Sequence, residues 1–224
     1  MGTLGAEVRI PNVDEFIQFK NNVNNGVSYS GTTVFLNSNI DLTGKTFEPI
    51  GNSSIYFSGT FDGQGHVISN LVINSASQYV GLFGYSGGLT IKNVVLDSSC
   101  SITSSFNGSS FAYVGGIIGY CGTPTIENSV NMGSVTFSGT LSSSSSYFLF
   151  FGGIVGYLSS WNYDSTVKNC ANYGDVTHSG RVIIHTSEGL LGTLKVPHPR
   201  ERTFITPSTT AQSHTKAHKQ IICV

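Results

Sequence analysis

Tyr79-Val80-Gly81-Leu82-Phe83-Gly84-Tyr85 returns as Tyr113-Val114-Gly115-Gly116-Ile117-Ile118-Gly119-Tyr120, and again as Phe151-Gly152-Gly153-Ile154-Val155-Gly156-Tyr157. Aligned on Gly81, Gly116 and Gly153, the copies lie 35 and 37 residues apart. A second block follows each of them: Ile91-Lys92-Asn93, Ile126-Glu127-Asn128 and Val167-Lys168-Asn169. The last two blocks run on in parallel, as Asn131-Met132-Gly133-Ser134-Val135 and Asn172-Tyr173-Gly174-Asp175-Val176. A worn fourth copy is read at Gly189-Leu190-Leu191-Gly192, 36 residues after Gly153.

Short strands of this kind cannot bury their own apolar face, whereas units stacked in register close a continuous core. Repeats near 35 residues, with strands and no helical stretch, fit a right-handed parallel β-helix better than the helical repeat families. In that arrangement Leu82, Ile117 and Ile154 form one aliphatic column, and Phe83, Ile118 and Val155 its neighbour. Gly84, Gly119 and Gly156 mark a bend where the adjacent backbone comes too close for a Cβ. Tyr85, Tyr120 and Tyr157 stack at the strand spacing of about 4.8 Å if one repeat is one coil. If one repeat is two coils that stack disappears, and the spacing leaves both arrangements open. Asn93, Asn128 and Asn169 form the expected turn ladder, because Asn tolerates left-handed backbone and stacked carboxamides hydrogen-bond from rung to rung. Ligand binding by the same carboxamides is the alternative.

Outward from the repeats, the N-terminal segment is helical. Asn12 serves as N-cap with Glu15 three residues on. Phe16, Phe19 and Val23 make one apolar face over residues 13–25, and Gly26 ends the helix. Such a helix covers the first rung, whose backbone groups otherwise stay unpaired. Strand patterns follow at Thr33–Leu36, Phe57–Phe61, His66–Ile68 and Leu71–Ile73. The expected organisation is an N-terminal cap over 1–30, β-helical repeats over 31–192, and an irregular basic tail over 193–224. That tail carries five basic residues against one acid, while the rest of the chain holds six against eleven. Disorder is expected for most of it.

Composition agrees with an all-β chain. Charged residues are 10% of the 224, against about 25% in an average soluble protein, and glycine accounts for 27 positions. A net charge of −1 argues against a nucleic-acid partner. No stretch is long and apolar enough to span a membrane, and Met1 to Ala6 does not read as a signal peptide. Ala6 stands where a myristoylation signal wants Ser or Thr. The four cysteines, Cys100, Cys121, Cys170 and Cys223, include no CxxC pair. They read as free, small apolar side chains. Sequons at Asn52-Ser53-Ser54 and Asn107-Gly108-Ser109 fall within chance for so Asn- and Ser-rich a chain.

Phe57-Ser58-Gly59-Thr60-Phe61-Asp62-Gly63-Gln64-Gly65-His66-Val67-Ile68, followed by Tyr79 to Gly84, resembles the GLUG-motif repeat of right-handed, pectin-lyase-like β-helical surface and secreted proteins. Ile40-Asp41-Leu42 and Pro49-Ile50-Gly51 are similar to the N-terminal portion of that family. The resemblance spans about residues 8–192 and implies the fold. It implies an extracellular or cell-surface location and no catalytic site of its own.

The chemical equipment of β-helical polysaccharide enzymes is sparse. Glycoside hydrolysis needs two carboxylates roughly 5–9.5 Å apart, and Asp62, with His66 four residues on, is the one suggestive acid. Asp62-Gly63-Gln64-Gly65 reads first as a tight corner between strands. Asp164 and Asp175 are isolated turn or solvated residues. His214 and His218 have helical metal-ligand spacing without a third ligand, so neither a metal nor a cofactor is expected. The polar run Ser142 to Ser146 bulges from the stack, and loops 99–112 and 137–150 are the expected places for partner contact.

These features lead to one functional expectation: a non-catalytic structural or adhesive β-helical module of a cell-surface or secreted protein. Its expected partners are glycans or host and cell-surface proteins, with no enzymatic activity. The competing readings are a carbohydrate-active β-helix using Asp62 and the aromatics Tyr85, Tyr120 and Trp161, and a truncated gene product without function.

Overall fold

The computed structural model describes residues 7–143, 149–159, 165–179, 181–186 and 189–193. The chain winds into a parallel β-helix. Its longest sheet stacks Glu7–Ile10, Thr33–Leu36, Thr60–Asp62, Thr90–Lys92, Thr125–Glu127 and Thr166–Lys168, each hydrogen-bonded in parallel to the next. A second sheet runs Ile40–Asp41, Val67–Ser69, Val95–Leu96, Val130–Asn131 and Ala171–Asn172. A third runs Val72–Ser75, Ser101–Ser104, Ser134–Phe137 and Val176–His178. Two three-stranded sheets complete the coil: Tyr79–Val80, Ala112–Gly115 and Leu149–Gly152, then Phe83–Ser86, Ile118–Cys121 and Val155–Leu158.

Register decides the size of a repeat. Tyr85 pairs with Tyr120, and Tyr120 with Tyr157, on directly neighbouring strands. One repeat is therefore one coil. The same register makes continuous interior columns. Val34, Phe61, Ile91 and Ile126 succeed one another with no solvent exposure. Ile73, Ile102 and Val135 do the same on the third sheet, and Phe83, Ile118 and Val155 on the fifth. Alternation of inward aliphatic and outward polar residues puts one such side chain per strand into each column, and full burial of each is worth roughly 1.5–3 kcal/mol.

The helix Val13–Asn24 plugs the first end of this interior. Asn12 Oδ1 accepts the Glu15 N–H at 3.0 Å, closing the first turn as the capping pattern requires. Phe16 stacks on Phe47 at 5.5 Å between centroids, and Phe19 meets Phe57 at 5.5 Å and Phe61 at 5.7 Å. The helix thus ends the phenylalanine column of the first coils while its polar face stays outside.

Glycine and asparagine set the corners. A Cβ on Gly84 would lie 2.6 Å from the Gly51 carbonyl oxygen, on Gly119 2.8 Å from that of Gly84, and on Gly156 2.5 Å from that of Gly119. Contacts that close do not occur for real Cβ atoms, so the column admits only glycine. Gly51 is its first member, and Ile50 bridges Phe83 in parallel. Pro49-Ile50-Gly51 is therefore an eroded earlier copy of the repeat, invisible as a repeat in sequence because its flanking tyrosines are missing. Asn93, Asn128 and Asn169 all take left-handed backbone, φ 55°, 49° and 53°. Asn169 Nδ2 donates to Asn128 Oδ1 at 3.0 Å, and Asn128 Nδ2 to Asn93 Oδ1 at 3.4 Å.

A second amide ladder lies inside the core. Asn131 follows Ile40, Ile68 and Leu96 in one column and is fully buried. Its Nδ2 donates to the carbonyls of Gly133 and Gly153 and to Asn172 Oδ1, at 2.9–3.0 Å. Its Oδ1 accepts the Gly133 N–H at 3.1 Å. The extra glycine of the second and third copies makes room for this ladder. A Cβ on Gly116 would come within 2.7 Å of Asn131 Nδ2, and one on Gly153 would overlap the Asn172 carboxamide. The first copy has no extra glycine, and there the facing column residue of the next coil is Leu96.

Two sequence expectations are corrected. Gly189–Thr193 is not a fourth copy: it pairs antiparallel with Arg181–Thr186, and two intervening residues are too few to travel round a coil. The polar stretches expected as loops are partly strand, at Ser101–Ser104 and Thr140–Ser143, because Ile102 and Leu141 turn into the core. Apart from Thr193, the basic tail lies outside the described residues.

Candidate ligand-binding face

The two short strands on either side of the Gly84–Gly119–Gly156 corner carry outward aromatics at their far ends, and the bend folds these toward each other. One rank is Tyr79, Tyr113 and Phe150; the other is Tyr85, Tyr120 and Tyr157. Within ranks the rings stack in register: Tyr85 on Tyr120 at 4.8 Å and 2°, Tyr120 on Tyr157 at 5.4 Å, Tyr79 on Tyr113 at 5.2 Å and 4°, Tyr113 on Phe150 at 5.3 Å. Across ranks they meet edge to face, Tyr79 with Tyr85 at 5.1 Å and Tyr113 with Tyr120 at 5.2 Å. Tyr56 extends the cluster downward, 5.4 Å from Tyr85.

This packing consumes ring faces and leaves edges and hydroxyls outside. All five repeat tyrosines are half-buried. None of their hydroxyls is sealed in without a partner, and no described residue supplies one with a hydrogen bond. Burial, with the neighbouring phenols adding to it, pushes the Tyr79, Tyr85 and Tyr113 hydroxyls above the ordinary tyrosine range. They are protonated donors throughout neutral pH. A polar groove of about 400 Å³ opens at the lower end, lined among others by Asn24, Glu48, Gly51, Asn52, Asn74 and Ser77. Gly51 joins groove to notch: a Cβ there would lie 3.1 Å from the Tyr85 carbonyl oxygen.

The expected sites fall out differently. Asp62 sits at a corner, 6% exposed, its Oδ1 accepting from the Gln64 N–H and from Asn93 Nδ2, both at 2.9 Å, and its Oδ2 lying 3.3 Å from Lys92 Nζ. Burial alone would raise its carboxyl; the Asn93 amide, the Gln64 N–H and Lys92 outweigh that and hold it below the usual carboxylate value. It is an anion in the first place of the Asn93 ladder, an arrangement opposite to that of a proton donor. Among the described residues no three His, Cys, Asp or Glu side chains gather to hold a metal. Tyr85 and Tyr120 belong to the notch; Trp161, Asp164, His214 and His218 lie outside the described residues.

The stretches at 99–112 and 137–150 do come together. Gly108 bridges Leu141 in parallel, and Asn107 Oδ1 accepts the Thr140 N–H at 2.7 Å. They lead into the strands that carry Tyr113 and Phe150. A rank of outward threonines, Thr33, Thr60, Thr90, Thr125 and Thr166, went unnoticed in the sequence. Its members stand 27 to 41 residues apart, and only register aligns them. Cys100, Cys121 and Cys170 are free thiols.

No family model and no curated protein matches the chain. A solved structure from Bacteroides ovatus, provisionally described as an immunoglobulin A1 protease, is similar over 88% of this chain and 82% of its own, at 18% identity and a TM-score of 0.41. One expectation is corrected on this finding. A chain similar to this one carries a protease description, so the inference from repeats and missing motifs to "no enzyme" is withdrawn. A likeness of that strength assigns no activity to this chain either. No helix among the described residues is long and apolar enough to cross a membrane.

Proposed function

We propose that the chain is a structural and adhesive β-helical module of a cell-surface or secreted protein, and that it meets its partner through the tyrosine notch. The observation that carries this reading is the gathering of five phenol hydroxyls on one face of a rigid stack, with no hydrogen-bonding partner among the described residues. Unused donors held in fixed positions favour binding, because little ordering entropy remains to be lost when a ligand arrives. The GLUG-like pattern of residues 57–84 and the stacked loops beside the notch support the same reading. The test is binding of the full chain to a glycan array and to immobilised cell surfaces, measured beside an unrelated β-helix. Binding above that control, weakened by Tyr120→Ala, is expected. A signal no higher than the control on every surface refutes the proposal.

A further inference from the structure

We infer that the notch takes a linear, neutral, hydroxyl-rich polysaccharide lying along the solenoid axis, its reducing or non-reducing end entering the groove beside Asn52. This rests on the adhesive reading above and names the ligand class for the same site. Three observations lead there. The ring spacing along the Tyr85–Tyr120–Tyr157 rank, 4.8–5.4 Å, is one rung per donor. An extended 1,4-linked hexopyranose chain advances by about one β-rung, 4.7–4.9 Å, per sugar, so successive sugars meet successive hydroxyls. A peptide strand repeats at about 6.6–6.8 Å per pair of residues and slips out of phase within two rungs.

The second observation is that ring faces are occupied by one another. The notch therefore reads a ligand by hydrogen bonds from phenol edges, not by stacking a sugar on an open aromatic platform. The third is charge. The groove is lined by carboxamides, hydroxyls and backbone, and Glu48 is the charged residue on it. With no cation there, a uronate or sulfated polymer is repelled while a neutral one is not. Phe150 in place of a third tyrosine leaves the Tyr79–Tyr113 rank one donor short, which makes the Tyr85 rank the longer register.

The experiment is isothermal titration of the full chain with β-1,4-linked glucose oligomers from disaccharide to hexasaccharide, with oligogalacturonates of the same lengths alongside. Tyr85→Phe, Tyr120→Phe and Tyr157→Phe keep every ring in the stack and remove one hydroxyl each; circular dichroism verifies the fold. Affinity is expected to rise with oligomer length until the rank is covered. Each Phe substitution is expected to weaken it about threefold to tenfold, the worth of one net hydrogen bond. The inference is overturned by tyrosine-to-Phe variants that bind like the parent, by affinity independent of length, or by tighter binding of the acidic oligomers. Binding lost in Thr90→Val or Thr125→Val while surviving in the Phe variants moves the site to the threonine rank and overturns it too. Adhesion to other surfaces without any binding of neutral oligomers refutes this inference and leaves the adhesive reading standing.

Discussion

Gly119→Ala tests the stacking on which the fold depends. The new Cβ would lie 2.8 Å from the Gly84 oxygen, the Tyr113 oxygen and the Val80 nitrogen. All three are backbone atoms, and two of them belong to the coil below. No side-chain rotation relieves the contact, so two coils must part or tilt. Overpacking a well-packed site costs typically 1–3 kcal/mol. For a folded unit of this size each kcal/mol lowers Tm by about 2–4 °C, so the expected fall is about 2–12 °C. Gly88→Ala is the control, because its closest neighbour is the Thr123 hydroxyl at 2.9 Å, the end of a side chain that can turn away. Thermal and urea unfolding followed by circular dichroism read both. If Gly119→Ala melts with the parent protein, or no lower than Gly88→Ala, the coils are not packed backbone on backbone at this column and the reasoning fails.

Further outcomes follow from the same geometry. Asn131→Leu restores the residue type found one coil below at Leu96, yet leaves the Gly133 N–H and Asn172 Oδ1 unpaired in the core; with roughly 1–3 kcal/mol per orphaned group set against the gain from burying Leu, a net loss of about 1–3 kcal/mol is expected in urea unfolding, and a more stable variant refutes the amide ladder. Phe19→Ala removes the centre of the helical plug and should cost about 3–5 kcal/mol, read as an earlier loss of near-ultraviolet signal. The Asp62 carboxyl titrates lower in the folded chain than in the unfolded one, so the unfolded state binds the proton first on acidification and stability falls as pH drops below about 4; Asp62→Asn should be less stable at pH 7 and show a flatter acid limb, and an unchanged limb counts against the corner. Burial pushes the Cys100 thiol up to about 11 and the Cys121 thiol up to about 12, so thiol reagents at pH 8 should label both only after unfolding; rapid labelling of the native chain refutes their burial.

Much of this was legible in the sequence because a solenoid repeats its environment. A column position experiences the same neighbours in each coil, so Phe83, Ile118 and Val155 carry the same kind of residue, and Gly84, Gly119 and Gly156 the same residue. The left-handed turns at Asn93, Asn128 and Asn169 were legible for the same reason. Repetition also misled. Gly189-Leu190-Leu191-Gly192 has the composition of a copy but follows its preceding strand too closely to complete a coil. Asp62 looked chemical because an acid beside a histidine is a common catalytic pairing; its partners, Asn93 and Lys92, come from the coil above and leave no trace in the local sequence.

Period, apolar columns, glycine corners and the capping helix were all set by the chain as written, since each follows from short-range spacing and the need to cover an open rung. Three-dimensional register decided the rest. It made one repeat one coil, aligned threonines drawn from unequal spacings, and folded two tyrosine ranks onto a shared notch. Those outcomes depend on how far each coil travels before it returns, and that distance is fixed by packing between residues far apart in the chain.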